Sequence, residues 1–285
     1  MTAAVATAER LAAIDGLRGF AALMVVASHA SALGMHLVPG ISLEGIGKAG
    51  VYLFFVISAY LLTAQWLRLL ADRRHAPVTL VRYLVRRIAR IYPLYTLVLL
   101  IGWALPPPGL GIPMDGVAVW RHLSLQEGLG IYWSIPVEFL YYLVIPPLAA
   151  WLVLVTSGWV RAAGIIVLFA GLMGWFPAHD APLNSAHLAY YMPTLLCGSL
   201  SAWLLHVRPV DAAVTHRGAG LLDAVVIGLL ALSIPSVFTA FDWGEGLTTL
   251  HRSFLGWGVF WSVVLIGVQT KHLPVIARAM RWHAQ

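Results

Sequence analysis

Eight apolar runs, each close to the ~20 residues that carry an α-helix across a hydrocarbon core, occupy most of this chain and leave room for little else. With soft boundaries they fall at 16–35, 49–70, 84–104, 131–155, 162–177, 187–206, 219–239 and 253–270. In lipid every backbone N–H and C=O must be satisfied within the protein, so runs of this length fold as helices. Composition agrees. Of 285 residues, 60% are hydrophobic and 11% charged, where a soluble domain carries about 25% charged residues. The expected fold is therefore all-α: a polytopic transmembrane bundle of about eight helices, one domain over 1–285.

Lys and Arg set the orientation. If the N-terminus is cytoplasmic and every run crosses, fourteen of the eighteen basic residues lie on the cytoplasmic side, including Arg73, Arg74, Arg82, Arg86, Arg87 and Arg90. Three, Lys48, Arg121 and Arg252, lie outside, and Arg18 starts the first helix. That bias is the positive-inside pattern. It predicts a multi-pass protein of the plasma (inner) membrane, with the lipid bilayer as its constant partner. The net charge of +6 does not point to nucleic acid, because the basic residues stand in short clusters between apolar runs. The outer connections carry Asp115, Glu127, Asp180, Asp242 and Glu245, which weigh little in this rule. Gly19–Ala27 followed by Ala30-Ser31-Ala32 has the outline of a signal peptide, but Glu9 and Asp15 spoil the basic leader such a peptide needs. The single Cys197 excludes an internal disulfide.

Local signals mark the helix ends. Asp15 is placed to cap the first run with its carboxylate. Pro106-Pro107-Pro108-Gly109 should stop the third, because proline has no N–H to donate. The connection 105–130 is the longest, and Trp120, His122 and Glu127 make it amphipathic enough to lie on the outer membrane surface. Pro136 sits about one turn into the fourth run, where a missing N–H costs least, and Pro146 and Pro147 should kink that helix.

Ionisable side chains within a bilayer are costly and therefore mark function. Three stand out: Arg18, His29 and Glu138. Arg18 and His29 are eleven positions apart, about 20° beyond three full turns, so they share a helix face ~16 Å apart along the axis. Arg18 near the cytoplasmic end also fits a snorkelling charge, and His29 alone fits an interhelical hydrogen bond. Glu138, in Trp133-Ser134-Ile135-Pro136-Val137-Glu138, is ~10 Å below the outer end of its run, near the depth of His29. A carboxylate beside a histidine fixes its tautomer and favours imidazolium, which suits a general base. Ser134, Tyr141 and Tyr142 share the Glu138 face. Glu138 also fits a plain tie between helices. Arg82, Arg86, Arg87 and Arg90 open the third run. Arg86 and Arg90, at i and i+4, project together, either for topology and anionic lipid or as a phosphate clamp. There is no phosphate-binding glycine loop, no zincin motif and no cysteine pair, so neither metal nor bound cofactor is expected. His36, His75, His122, His206, His216, His272 and His283 read as solvated or interfacial; His179, His187 and His251 lie on the outer side.

These residues resemble the motifs of the type-3 integral-membrane acyltransferases (acyltransferase family 3). Ile14-Asp15-Gly16-Leu17-Arg18-Gly19 followed by His29 is similar to their Arg-x10-His helix. Gly50-Val51-Tyr52-Leu53-Phe54-Phe55-Val56-Ile57-Ser58 resembles their second helix, with Ala59 where Gly is usual. Arg86-Arg87-Ile88-Ala89-Arg90-Ile91-Tyr92-Pro93 resembles the basic third-helix motif, and Trp133-Ser134 to Glu138 the Trp-Ser-x-x-x-Glu element. The four motifs run in order over 14–147; beyond that only hydropathy is alike.

The resemblance implies transfer of an acyl group, usually acetyl, from cytoplasmic acyl-CoA to a hydroxyl of a sugar, lipid-linked glycan or other small acceptor, as in polysaccharide modification. It makes Arg18 and His29 the active pair and puts Arg86, Arg87 and Arg90 on the donor side. It also implies about ten crossings and a late Ile-Ser-Tyr-x-x-Tyr-Leu-x-His element. The chain ends at Arg281-Trp282-His283-Ala284-Gln285, about where that element would begin, so a member lacking its C-terminal helices is expected. The rival reading is a transporter of a glycan or anionic solute with Arg18, His29 and Glu138 along its path. The repeated halves common in transporters are not evident in the sequence.

Overall fold

The computed structural model describes residues 3–72, 77–104, 114–155, 158–175, 184–207, 219–241, 250–270 and 272–282. Among them the regular elements are helices. We number them α1 (Ala3–Ala32), α2 (Gly47–Ala71), α3 (Pro77–Ala104), α4 (Gly116–Leu123), α5 (Ser134–Leu154), α6 (Gly158–Trp175), α7 (Leu188–Val207), α8 (Ala219–Leu232), α9 (Pro235–Ala240), α10 (Phe254–Gln269) and α11 (Pro274–Trp282), with a 3-10 turn Gly130–Trp133 before α5. The helix stop at Pro106–Gly109 lies outside the described residues. So do Arg73, Arg74, Arg208, Arg217, Lys271, Asp180, Asp242, Glu245, His75, His179, His216 and His283.

Each expected apolar run overlaps helix, and all but 219–239 fall on a single one. Leu11–Ala32, Gly47–Ala71, Gly130–Leu154 and Leu188–Val207 are long and apolar enough to cross a membrane, and Phe254–Gln269 with Pro274–Arg281 meets the same test only as a pair bent by 80°. The chain is a multi-pass membrane protein. Helix α3 is long enough but carries Arg82, Arg86, Arg87 and Arg90, and α6 and α8 are shorter apolar helices.

Three local expectations change. Helix α1 begins well before residue 16, because Ala-rich sequence with high helix propensity precedes the apolar run. Asp15 is therefore inside the helix rather than its cap. The run 219–239 is two helices: Pro235 brings no N–H to continue α8, and the Ser233 hydroxyl donates back to the Leu230 carbonyl at the break. An unforeseen amphipathic helix, α11, follows α10. Pro146 and Pro147 lie within α5 without ending it, and the amphipathic connection forms α4, capped by Asp115, which accepts the Ala118 N–H at 2.7 Å.

The helices form two compact units, residues 1–61 with 193–285, and residues 62–192; the divisions fall inside α2 and α7. The first unit is assembled through small residues. A Cβ at Gly50 would stand 2.7 Å from the Ala21 carbonyl oxygen, and one at Gly258 2.8 Å from the Thr194 Cα. Such contacts let backbones of membrane helices approach closely. Polar ties follow: the Trp261 indole donates to the Ala49 carbonyl at 2.9 Å and the Thr194 hydroxyl to the Phe254 carbonyl at 2.6 Å. A Cβ at Gly16 would overlap the Met280 carbonyl, so α11 lies directly on α1. The second unit is held by rings. Trp66 meets Tyr83 edge-on at 5.4 Å, Tyr92 meets Phe139 at 5.2 Å and Trp133 lies against Tyr191 at 4.7 Å.

Candidate functional site

Helix α1 is continuous from Arg18 to His29, so the two side chains share a face in the first unit as their spacing demands. His29 is exposed, and its Nδ1 lies 2.7 Å from the Val25 carbonyl, one turn back. A carbonyl only accepts, so Nδ1 carries the proton. With the proton on Nδ1, Nε2 is the nitrogen left with a lone pair, which is the tautomer a general base needs. Arg18 is a third exposed and stands 3.6 Å from the Asp15 carboxylate, itself 63% exposed. That long, open contact is worth little and leaves the guanidinium free to serve an anionic ligand.

The residues beside His29 fix its surroundings. Ser28 and Ser31 are buried, and each hydroxyl accepts one backbone N–H from the following connection, Gly45 at 2.9 Å and Leu43 at 2.9 Å. Ser236 ties the same connection from α9, accepting the Ser42 N–H at 2.6 Å and donating to its carbonyl at 2.9 Å. Gly45 has φ +96, and a Cβ there would sit 3.0 Å from the His251 ring, so glycine is required for both conformation and space. His251, placed on the outer side by the sequence, is buried. Burial, with Lys48 adding to it, pushes its imidazole down to about 4, so it is neutral near pH 7. The two serines and Ser236 escaped the sequence reading because hydroxyl pairs inside apolar helices are too common to single out.

Glu138 and the basic cluster belong to the second unit. The Tyr142 hydroxyl donates to Glu138 Oε1 at 2.6 Å, one turn along α5, as the shared face predicts. Arg87 turns inward, its guanidinium carbon 5.6 Å from the Tyr83 ring centre and 5.9 Å from that of Tyr142. Both distances are within the range of cation–π attraction. Arg86 and Arg90 are exposed. The structure thus separates the three arginines and joins Arg87 to Glu138 through Tyr142. Tyr83, four residues before Arg87, is the member that the sequence offered and the motif reading passed over.

His122 was expected to be solvated or interfacial; it is fully buried. Its Nδ1 donates to the Ala118 carbonyl at 2.7 Å, and Nε2 accepts the Leu129 N–H at 3.1 Å. With both ring nitrogens satisfied it is a structural residue that closes α4 onto the turn before α5.

Comparison with known proteins bears on what this arrangement does. A family model described as an acyltransferase domain matches residues 11–275. The peptidoglycan O-acetyltransferase OatA of Listeria monocytogenes serovar 1/2a is 24% identical over 290 residues, covering 90% of this chain and 42% of that protein. The chain therefore spans less than half the length of the curated relative it matches. No solved structure matches.

Proposed function

The chain belongs to the acyltransferase family matched over most of its length, and from that membership we propose that it is a membrane O-acyltransferase. In this reading it moves an acetyl group to a hydroxyl of a cell-envelope polysaccharide, of which peptidoglycan, named in its relative, is the first candidate. Acyl-CoA is the donor. The membrane is the plasma membrane, with the N-terminus and the Arg-rich start of α3 on the cytoplasmic side, as the basic-residue bias favours.

The observation that carries the proposal is His29: exposed on α1, with Nδ1 held by Val25 and Nε2 open. Nε2 takes the proton of the acceptor hydroxyl as that oxygen attacks the thioester carbonyl carbon. The C–S bond breaks, the departing thiolate takes the proton back from the imidazolium, and the products are an ester and free CoA. Arg18, on the same face, steadies the oxyanion that develops on the carbonyl oxygen, or a donor phosphate. Glu138, whose Oε1 accepts the Tyr142 hydroxyl, is the acidic group of the second unit. Arg87, with Arg86 and Arg90 beside it on α3, binds the anionic donor.

The test is transfer of labelled acetyl from acetyl-CoA to soluble peptidoglycan fragments by the purified chain in lipid nanodiscs. Ester-linked label on the glycan supports the proposal. Movement of glycan across proteoliposomes with no acetylation would replace it with the transport reading.

A further inference from the structure

Two pairs at i and i+4 face each other in the second unit: Tyr83 and Arg87 on α3, Glu138 and Tyr142 on α5. Arg87 also lies over the Tyr83 ring of its own helix at 5.6 Å, and three further links run through Tyr142. Its hydroxyl donates to Glu138 Oε1 at 2.6 Å. Its ring lies under the Arg87 guanidinium at 5.9 Å. Its backbone carbonyl accepts the Tyr83 hydroxyl at 3.2 Å. That last bond has a covalent cause. The carbonyl of residue 142 would ordinarily accept the N–H of residue 146, and residue 146 is proline, which has none. Pro146 leaves a buried acceptor open, and Tyr83 fills it from the neighbouring helix. Tyr142 itself is 4% exposed, so its ring cannot swing away without opening the interior.

We infer that Tyr142 is a positioning residue for acyl transfer: through its hydroxyl it fixes the Glu138 carboxylate, and through its ring it fixes the Arg87 guanidinium. The inference rests on the acyl-transfer reading and goes beyond it by assigning one side chain to hold the acidic and the anion-binding group at a set spacing. The Arg87 Nε is buried and has no hydrogen-bond partner among the described residues. A guanidinium held by ring faces keeps its terminal N–H groups available to a bound anion, where one held by a carboxylate would have them occupied. Tyr142 therefore keeps the two groups of opposite charge near each other without letting them neutralise: its hydroxyl takes up the carboxylate and its face takes up the cation. Tyr83 completes the arrangement by locking the α5 backbone at the residue that does both.

Steady-state kinetics with acetyl-CoA as donor, on the full chain in nanodiscs, tests this with double-mutant cycles. Tyr142→Phe keeps the ring and removes the hydroxyl. It should lower kcat by ~10–100-fold, the span of a hydrogen bond to a charged group, with the acetyl-CoA KM within about twofold of wild type, because the ring on which Arg87 rests is unchanged. In a Glu138→Gln background the same change should add nothing. Tyr142→Leu, which removes the ring, should raise the acetyl-CoA KM about as far as Arg87→Ala does, and the two together no further. Full additivity of Tyr142→Phe with Glu138→Gln, or Tyr142→Phe kinetics equal to wild type, overturns the positioning role while leaving the acyl-transfer reading intact. Glu138→Gln and Arg87→Ala both at wild-type rates, or no turnover of acetyl-CoA by wild type, would instead sink the reading on which it stands. Should the Leu variant not survive extraction, the Phe cycle decides alone, since a Phe at 142 preserves the packing.

Discussion

Asp223 on α8 caps Ile276 on α11: its Oδ1 accepts the Ile276 N–H at 3.1 Å while Oδ2 takes that of Val275 at 3.0 Å. The first N–H groups of a helix have no partner inside it, and Pro274 at the helix start has none to satisfy. A buried carboxylate borrowed from another helix supplies both acceptors and sits favourably at the positive end of the helix dipole. Asp223→Ala should destabilise the chain by ~1–3 kcal/mol, the cost of stranding buried donors. Asp223→Asn, which keeps one acceptor, should lose less. Thermal unfolding in detergent reads the order wild type, Asn, Ala; equal melting of wild type and Ala would show that α11 is held by its apolar face alone.

His251 gives a pH dependence whose sign is fixed. It lies outside the membrane-spanning helices, and burial moves its imidazole from 6.5 down to about 4. The folded chain therefore binds fewer protons than the unfolded chain between those values. Stability is full above the unfolded value and falls as pH drops toward the folded one, by up to about 3 kcal/mol. Melting temperature should decline steadily from about pH 7 to about pH 4.5, and His251→Gln should flatten that decline. An unchanged slope in the Gln variant assigns the acid sensitivity to other groups.

The arginines on α3 should not contribute equally. Arg86 and Arg90 are exposed, where a charge contact is screened and weak; Arg87 is half-buried on two rings. Arg87→Ala should weaken acetyl-CoA binding ~10–100-fold, as loss of charge-assisted bonds does. Arg86 and Arg90 changed together should cost ~3–10-fold, with most of that effect gone at high salt. Calorimetric titration at two salt concentrations separates them. A double variant weaker than Arg87→Ala would return the clamp to the exposed pair.

Orientation has its own check. Asp72 is exposed at the end of α2, and the basic-residue bias puts that end in the cytoplasm. With Cys197 replaced, a cysteine at Asp72 should react with an impermeant reagent only after the cells are opened. Labelling of intact cells would invert the topology.

The helices were legible because hydropathy needs only a run of residues, and runs survive in one dimension. Boundaries were less so: the apolar signal begins near Gly16, yet α1 extends back through alanines that favour helix without being a membrane signal. The Arg18–His29 face follows from spacing alone, because both residues ride one helix. His122 defeated the reading for the opposite reason. Its two partners, Ala118 and Leu129, offer backbone groups, and nothing in a side-chain pattern announces that a loop N–H will turn back onto a ring. Arg87 and Arg90 look alike as a basic motif; the Tyr83 ring one turn back on α3 and the Tyr142 ring brought in from α5 tell them apart.

His29 decides the catalytic assignment. General acid–base groups contribute ~10²–10⁴-fold in rate, so His29→Ala should reduce acetyl transfer by that factor. The side chain is exposed and its bond to Val25 is local to one helix turn, so insertion, extraction and melting temperature should stay near wild type; the local bond is worth ~1 kcal/mol. His29→Gln separates two roles. Its amide N–H can still reach the Val25 carbonyl, but no atom at the Nε2 position accepts a proton at neutral pH. If His29 is the base, Gln is as inactive as Ala. If the ring only stiffens the end of α1 near the Ser28 and Ser31 anchors, Gln restores activity and the base must be sought elsewhere on the outer connection. Arg18→Lys belongs in the same series. A retained charge without the planar fork should lower kcat more than it raises the donor KM if Arg18 meets the oxyanion, and the reverse if it meets a donor phosphate. Full transfer activity in His29→Ala would end the assignment, leaving the shared face of Arg18 and His29 as helix packing or a path for solute.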